Sequence, residues 1–420
     1  MNRSSPLLPS LLLAGLVLPG SALATNGYFT HGFGVRSQAA AGVGIALPQD
    51  ALAAANNPAG TAALANRLDL GATWFRPSRG ATISGNMAGA NGRYDGNDTE
   101  NFLIPELGYV RQLSDQLSFG FALHANGGMN TDYGRNPFGA FGSRGAAGVN
   151  LEQLFVTPSL AWKLDARNTV GIATTFAWQR FEMRGVQAFD NPFFSAAPGD
   201  VSNKGTDYSR GWGWKLGYSG ALTPTLTLGA TYASRLDMSR FSSYQGLFAE
   251  RGGFDIPASY GVGLAWKASD RTTLASDWQR IEYSDVKSVG NPLANLLTGN
   301  PLGSRNGGGF GWRDISVIKL GVVHALNNVY TLRAGVSHAQ QPIPRAETFF
   351  NILAPGTIED HASVGISGKT ASGGEWSVSY THAFKEHVNG SGSIPMPFGG
   401  GEADLWLKED MLSVGYTFAL

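Results

Sequence analysis

The last ten residues, Met411–Leu420, read MLSVGYTFAL. On an extended chain Leu412, Val414, Tyr416, Phe418 and Leu420 share one face, and Ser413, Gly415, Thr417 and Ala419 share the other, because strand side chains alternate with a period of two. A soluble sheet shows the same alternation, so the number, length and spacing of such segments decide the fold. LSFGFALHA (117–125) sets Leu117, Phe119, Phe121 and Leu123 against Ser118, Gly120, Ala122 and His124. TLTLGATYA (225–233) sets Leu226, Leu228, Ala230 and Tyr232 against Thr225, Thr227, Gly229 and Thr231. Comparable segments start near Leu68, Leu103, Leu154, Val170, Gly213, Tyr260, Leu274, Ser316, Tyr330, Ala362 and Trp376. That makes about fourteen segments of roughly ten residues, the length a tilted strand needs to cross a bilayer.

The connections between them alternate in length. Short ones are expected at 111–116, 164–169, 221–225, 268–272, 325–329 and 370–374. Long ones are expected near 84–101, 126–152, 185–206, 237–256, 284–312, 339–359 and 387–405. Fourteen strands with both ends on one side need six links there and seven on the other. A soluble sandwich has no reason to sort its loops by side, whereas an outer-membrane barrel has short periplasmic turns and long external loops. Trp162, Trp178, Trp266, Trp278, Trp376, Tyr218, Tyr232, Tyr260 and Tyr416 fall at or near segment ends on the apolar face, where interfacial girdles belong. The predicted fold is therefore all-β: a fourteen-stranded antiparallel outer-membrane barrel over 67–420. Closure satisfies every backbone group in lipid, which an open sheet cannot do.

Composition agrees. The 420 residues include 57 glycines and no cysteine, only 15% are charged, and 31 basic side chains balance 31 acidic ones. The charge fraction is below the roughly 25% of soluble domains, and a neutral chain lacks the basic surface that nucleic acid requires. Residues 1–24 read as a secretory signal: Arg3, then the apolar run Leu7–Leu18, then Ala22-Leu23-Ala24 as cleavage site. An export signal leaves periplasm, outer membrane or medium, and with the barrel pattern the expected location is the bacterial outer membrane.

Residues 25–66 do not alternate. The stretch Gly32–Gly60, GFGVRSQAAAGVGIALPQDALAAANNPAG, resembles the N-terminal plug, or hatch, of the FadL (OmpP1/TodX) family of outer-membrane transporters for long-chain fatty acids and other hydrophobic compounds. Gly34, Arg36, Ser37, Gly42, Ala46, Asp50, Ala51, Ala53, Asn57, Pro58 and Ala59 carry the resemblance, and Thr331–Pro344, after Gly311–Gly321, adds a second match. Ala40, where Met is expected, and the terminal Leu420, where Phe is common, depart from it. Small residues suit short helical turns packed in a lumen. Pro58 stops the last turn, and Asn57 is placed to bond backbone that would otherwise be unpaired.

The resemblance implies a passive channel and its parts. A helical plug over 25–66, with Asp50, Asn57, Pro58, Ala59, Phe29 and Phe33, would gate the route, and a kink in the third strand would open the wall sideways. Asn126-Gly127-Gly128 is the candidate kink, since paired glycines inside a strand mark a bulge or bend; from the residues alone, a turn into a long loop is an equal reading. Phe189, Phe193, Phe194, Phe241, Leu247 and Phe248 are candidates for an outer groove that captures ligand, the alternative being that these loop aromatics pack on one another. Arg180, Arg184 and Arg305 are the candidate partners of a ligand carboxylate or of lipopolysaccharide phosphates, although Arg180 shares the outward face of Trp178. Fatty acid and aromatic hydrocarbon both remain open as cargo, and the resemblance favours a monomer.

Rival functions find less in the residues. The seven histidines are scattered, with no G-x-S-x-G elbow and no HExxH, so neither an enzyme nor a cofactor is expected. No ligand cluster has calcium or zinc spacing. A general porin would constrict its channel with charged loop residues rather than with an N-terminal plug.

Overall fold

The protein is described by a computed structural model over residues 26–420; the signal expected at 1–24 lies outside the described residues. Fourteen strands build the wall. The first seven are β1 (Arg67–Ser84), β2 (Phe102–Gln112), β3 (Leu117–Tyr133), β4 (Ala147–Lys163), β5 (Asn168–Arg184), β6 (Asp207–Ala221) and β7 (Leu226–Ala233). The second seven are β8 (Ser259–Lys267), β9 (Thr272–Ile281), β10 (Ile315–Ala325), β11 (Tyr330–Ala339), β12 (Asp360–Lys369), β13 (Glu375–Val388) and β14 (Glu402–Ala419). Two short ribbons, Gly92–Asp95 and Asp237–Met238, pair beside β1 and β6 outside this circuit. Every strand is antiparallel to its sequence neighbour, and β14 returns to β1 from Arg67↔Ala419 to Ser84↔Glu402. The sheet therefore closes. Among the described residues no helix is long and apolar enough to cross a membrane; strands make the crossing.

The side-chain alternation follows the sequence. Leu412, Val414 and Phe418 face outward and Ser413 and Thr417 are buried, while Ser118, Ala122 and His124 point into the lumen. Trp162, Trp178, Trp266 and Trp278 are exposed on the outer surface. Six links of four or five residues (113–116, 164–167, 222–225, 268–271, 326–329, 370–374) lie at one end of the barrel. Seven longer ones lie at the other. The second long link is shorter than its sequence suggested: β3 and β4 continue as a hairpin from Ala125 to Tyr133 and from Ala147 onward, leaving only 134–146 between them. Glycines at 127, 128 and 148 look like loop residues, yet here they permit close approach within a ladder.

The largest apolar core lies in the long loops and upper lumen. Phe138, Phe189, Phe241, Phe248, Phe349 and Phe398 belong to one buried cluster there. Below it residues 26–66 fill the lumen with α1 (Val35–Ala39), α2 (Ala53–Asn56) and a 3₁₀ turn, Pro58–Ala63. Alanines and glycines dominate these pieces because only small side chains let backbone lie against a wall this close.

Candidate functional site

The lumenal segment is tied to the wall around its whole perimeter, mostly by wall side chains meeting its backbone. Glu106 of β2 accepts N–H bonds from Gly34 and Val35 at 3.2 and 3.0 Å. Asp277 of β9 accepts from Gly44 and Ile45 at 2.8 and 3.1 Å, and Asp69 of β1 accepts from Ala51 at 2.8 Å. Lysines serve the carbonyls: Lys319 of β10 donates to His31 O at 2.7 Å and Gly42 O at 3.4 Å, and Lys215 of β6 donates to Ala55 O. Arg36 returns from α1 to Glu375 at 3.2 Å. Short irregular turns leave many backbone groups unpaired, and a low-dielectric lumen makes that costly; charged partners on opposite walls answer it.

Asn57, Pro58 and Ala59 form the tightest knot. Asn57 Nδ2 donates to Ile45 O at 2.7 Å and to Tyr218 O of β6 at 2.9 Å, while its Oδ1 accepts Ala59 N–H at 3.1 Å. It thereby caps the turn that begins at Pro58, whose missing N–H is no loss at a first helical position. Asp50 accepts the N–H of Leu52 at 3.1 Å. Burial, and then the neighbouring Asp69 carboxylate, push its pKa up to about 6.

The wall is interrupted beside this segment. β2 and β3 pair only from Leu107↔Leu123 to Gln112↔Ser118. Beyond that, residues 102–106 keep β1 as partner and β3 keeps β4, but the two strands part. The β3–β4 register slips between Ala125 and Gly127, leaving Asn126 as the extra residue, and such a bulge bends its strand. The first described residues lie against this bend. Thr30 N donates to Asn126 O at 2.8 Å, Gly128 N donates to Tyr28 O at 3.0 Å, and Phe29 bridges to Gly127. The hydroxyl of Tyr283 accepts Tyr28 N–H at 3.2 Å and donates to Asn26 O, and the Tyr28 ring packs 5.0 Å from Tyr283 and 5.8 Å from Trp312.

A lumenal cavity of about 70 Å³ lies against the bend and the N-terminal segment, lined by Phe29, Phe33, Asn126, Phe155, Lys215 and Lys319 among others. Phe33 packs against His124 with ring centroids 4.2 Å apart and planes inclined at 57°. The cavity is thus aromatic in part, with the two ammonium groups and the Asp277 carboxyl at its edge.

A family model described as "Outer membrane protein transport protein (OMPP1/FadL/TodX)" matches residues 21–389. The chain belongs to this family. Its fold is similar to that of the Pseudomonas putida toluene transporter TodX, with TM-score 0.69, 18% identity, and 93% of this chain and 99% of that one covered. A Pseudomonas aeruginosa FadL homologue gives TM-score 0.69 at 17% identity over 94% of this chain and 99% of its own. A long-chain fatty acid transport protein of Salmonella typhi is 21% identical over 272 residues, spanning 57% of this chain and 61% of that relative. At such identities the structural likeness carries the fold: an outer-membrane β-barrel.

Within this FadL-family barrel, the sequence-derived site residues are distributed unevenly. Phe29, Phe33 and Asn126 line the cavity, and Gly127 and Gly128 take the pairing from the N-terminal segment. The loop aromatics do not share one open face. Phe189, Phe241 and Phe248 are fully buried, Phe194 packs 5.2 Å from Phe398, and Phe193 alone of the six is strongly exposed, at 84%. Phe189, Leu247 and Phe248 also line a small apolar cavity of about 30 Å³ within the loop core. Rings in water-facing loops gain more by covering one another than by forming a groove.

The three arginines stand apart from the lumenal cavity. Arg180 pairs with Glu152 at 3.3 Å, Arg184 with Asp132 at 3.1 Å, and Arg305, 82% exposed, lies 3.8 Å from Glu250. Gln179 and Phe181 flank Arg180 and are buried, so alternation turns Arg180 outward. The cations at the cavity are Lys215 and Lys319, and the sequence held a signal for them. Trp214 and Leu216 flank one lysine, Ile318 and Leu320 the other, and all four face outward; a charge between two lipid-facing residues must point into the lumen.

Proposed function

We propose that this barrel is a passive outer-membrane uptake channel for hydrophobic molecules, with residues 26–66 as its plug and with lateral exit through the parted strands. One observation carries the reading: the cavity, the N-terminal segment and the break between β2 and β3 are contiguous, because Phe29 and Asn126 line the first and take part in the other two. Withdrawal of Asn26–Phe29 from Gly127 would connect lumen to bilayer. A lateral route avoids water, which would cost about 0.8 kcal/mol for each exposed CH₂ of an alkyl chain. The charge at the cavity supports long-chain fatty acids as cargo. An ammonium has three donors; Lys215 gives one to Ala55 O and Lys319 gives two, to His31 O and Gly42 O. A carboxylate can bind the remainder, and by competing for the rest it would loosen the plug it passes.

A second reading, aromatic hydrocarbons, is supported by the rings of Phe29, Phe33 and Phe155 along the same cavity. Uptake of labelled oleate and labelled toluene, in cells lacking such a transporter and expressing this chain, separates the two. Under the fatty-acid reading, Lys215→Met with Lys319→Met, which also frees the plug carbonyls of Ala55, His31 and Gly42, lowers the ratio of oleate to toluene uptake about tenfold, the worth of one hydrogen bond to a charged group. Toluene uptake without oleate uptake moves the assignment to hydrocarbons. Neither compound entering faster than in empty-vector cells overturns the channel reading.

A further inference from the structure

A second lumenal cavity lies on the far side of the N-terminal segment. It measures about 30 Å³, and its walls include Tyr28, Phe75, Met129, Trp312 and Leu407, with Gly128 of the bend at one edge. Phe75 continues this apolar surface outward, since it clusters with Phe102, Ile104 and Met411. Phe102 and Ile104 belong to the stretch of β2 that has lost β3 as a partner. The cavity therefore abuts the break in the wall.

One acid sits in it. Glu409 of β14 lines the cavity, is 0% exposed, and neither carboxyl oxygen has a hydrogen-bond partner among the described residues. The other wall acids at the lumen behave differently: Asp69, Asp277 and Glu106 each accept N–H bonds from the plug. Arg79 lines the same cavity, but its hydrogen bonds go to Pro77 O, Asn97, Thr99 O and Asn130 rather than to Glu409. A buried carboxyl with no partner is costly to keep in an apolar pocket.

We propose that Glu409 is the anchor for a hydroxyl group carried by an otherwise apolar ligand, which makes it a specificity-determining residue at the exit. Resting on the channel reading above, this assigns the second cavity a chemical preference. A hydroxyl both donates and accepts, so it satisfies Glu409 as carboxylate or as acid. A bare hydrocarbon leaves the carboxyl unpartnered. Tyr28 supplies one wall, so withdrawal of the N-terminal segment enlarges the cavity to admit a ring.

The test compares p-cresol with toluene, which differ by one hydroxyl, in transporter-deficient cells carrying equal amounts of folded barrel. Expected is saturable p-cresol uptake whose half-saturation concentration rises about tenfold in Glu409→Leu, little in Glu409→Gln, with toluene uptake unchanged in both. Equal shifts for both compounds, or no shift for p-cresol, overturn the proposal. If Glu409→Leu does not assemble, the wild-type barrel decides: p-cresol should half-saturate at about one tenth the concentration of toluene, which can neither donate nor accept, and equal values overturn the proposal. Toluene uptake without hydroxyl discrimination sinks this inference alone. Uptake of no compound sinks the channel reading with it.

Discussion

At the scale of the residue, Gly127 shows how little room the N-terminal segment leaves. A Cβ there would lie 1.7 Å from Tyr28 O and 3.1 Å from Phe29 Cα. Backbone cannot yield as the end of a side chain can, so Gly127→Val should expel Asn26–Phe29 from the bend while leaving the barrel closed. The expected outcome is faster thiol labelling of a cysteine placed at Phe29 in the valine variant than in the parent, with unchanged heat-modifiable migration on gels. Equal labelling would show that the segment is held elsewhere. Side-chain alternation made much of this scale readable in advance. Ser413 inward, Leu412 outward and Arg180 outward all follow from one rule, and Lys215 and Lys319 obey it too once their apolar neighbours are considered. Gly127 was visible as a glycine in a strand; its contact with Tyr28 was not, because about a hundred residues separate the two and no local pattern encodes their meeting.

At the scale of the element, the plug is a set of turns too short to be stable alone, since isolated helices of this length do not survive in water. Its order comes from acids and bases on the wall, which makes it sensitive to charge. Asp50 has its pKa raised to about 6 by burial and by Asp69, with Arg36 and Arg67 acting in the opposite direction. An ordinary aspartate titrates near 3.9, so between about pH 4 and 6 the seated plug binds more protons than the released one. The contribution of Asp50 to its seating should therefore weaken as pH rises through that window and stay level above it. Hydrogen exchange of the amides at 51–57, corrected for intrinsic rates, should slow on acidification from pH 7 to 5, and Asp50→Asn should flatten that slope. An unchanged slope would assign the effect to another group. The strands, in contrast, were legible as elements from their period and their alternating links. The β3–β4 projection was not, because its glycines resemble a loop until their ladder partners are known.

At the scale of the whole molecule, the barrel is a cylinder whose lumen is filled by a short segment rather than by its strands. Deleting residues 26–63 should leave the seam between β1 and β14 intact and clear much of the lumen. Planar bilayers should then show large, steady conductance for the deleted form and little for the parent. A silent deleted form would mean that the loop core, with Phe189, Phe241 and Phe398, closes the top unaided. Strand number and loop sorting gave this architecture away early. The break beside β3 did not announce itself, because it consists of missing pairs along residues 102–106, whose own sequence still reads as a strand.

The seam also constrains the order of events during assembly. Arg67 pairs with Ala419, and Arg36 donates to Thr417, across roughly 350 to 380 positions of chain. Loop-closure entropy grows only logarithmically with such distances, but the search for contacts so remote is slow. The plug's partners are spread over β1, β2, β6, β9, β10, β13 and β14, so its seat is incomplete until the last strand arrives. In this protein the segment that heads the described residues has its seat completed by the strand that ends them.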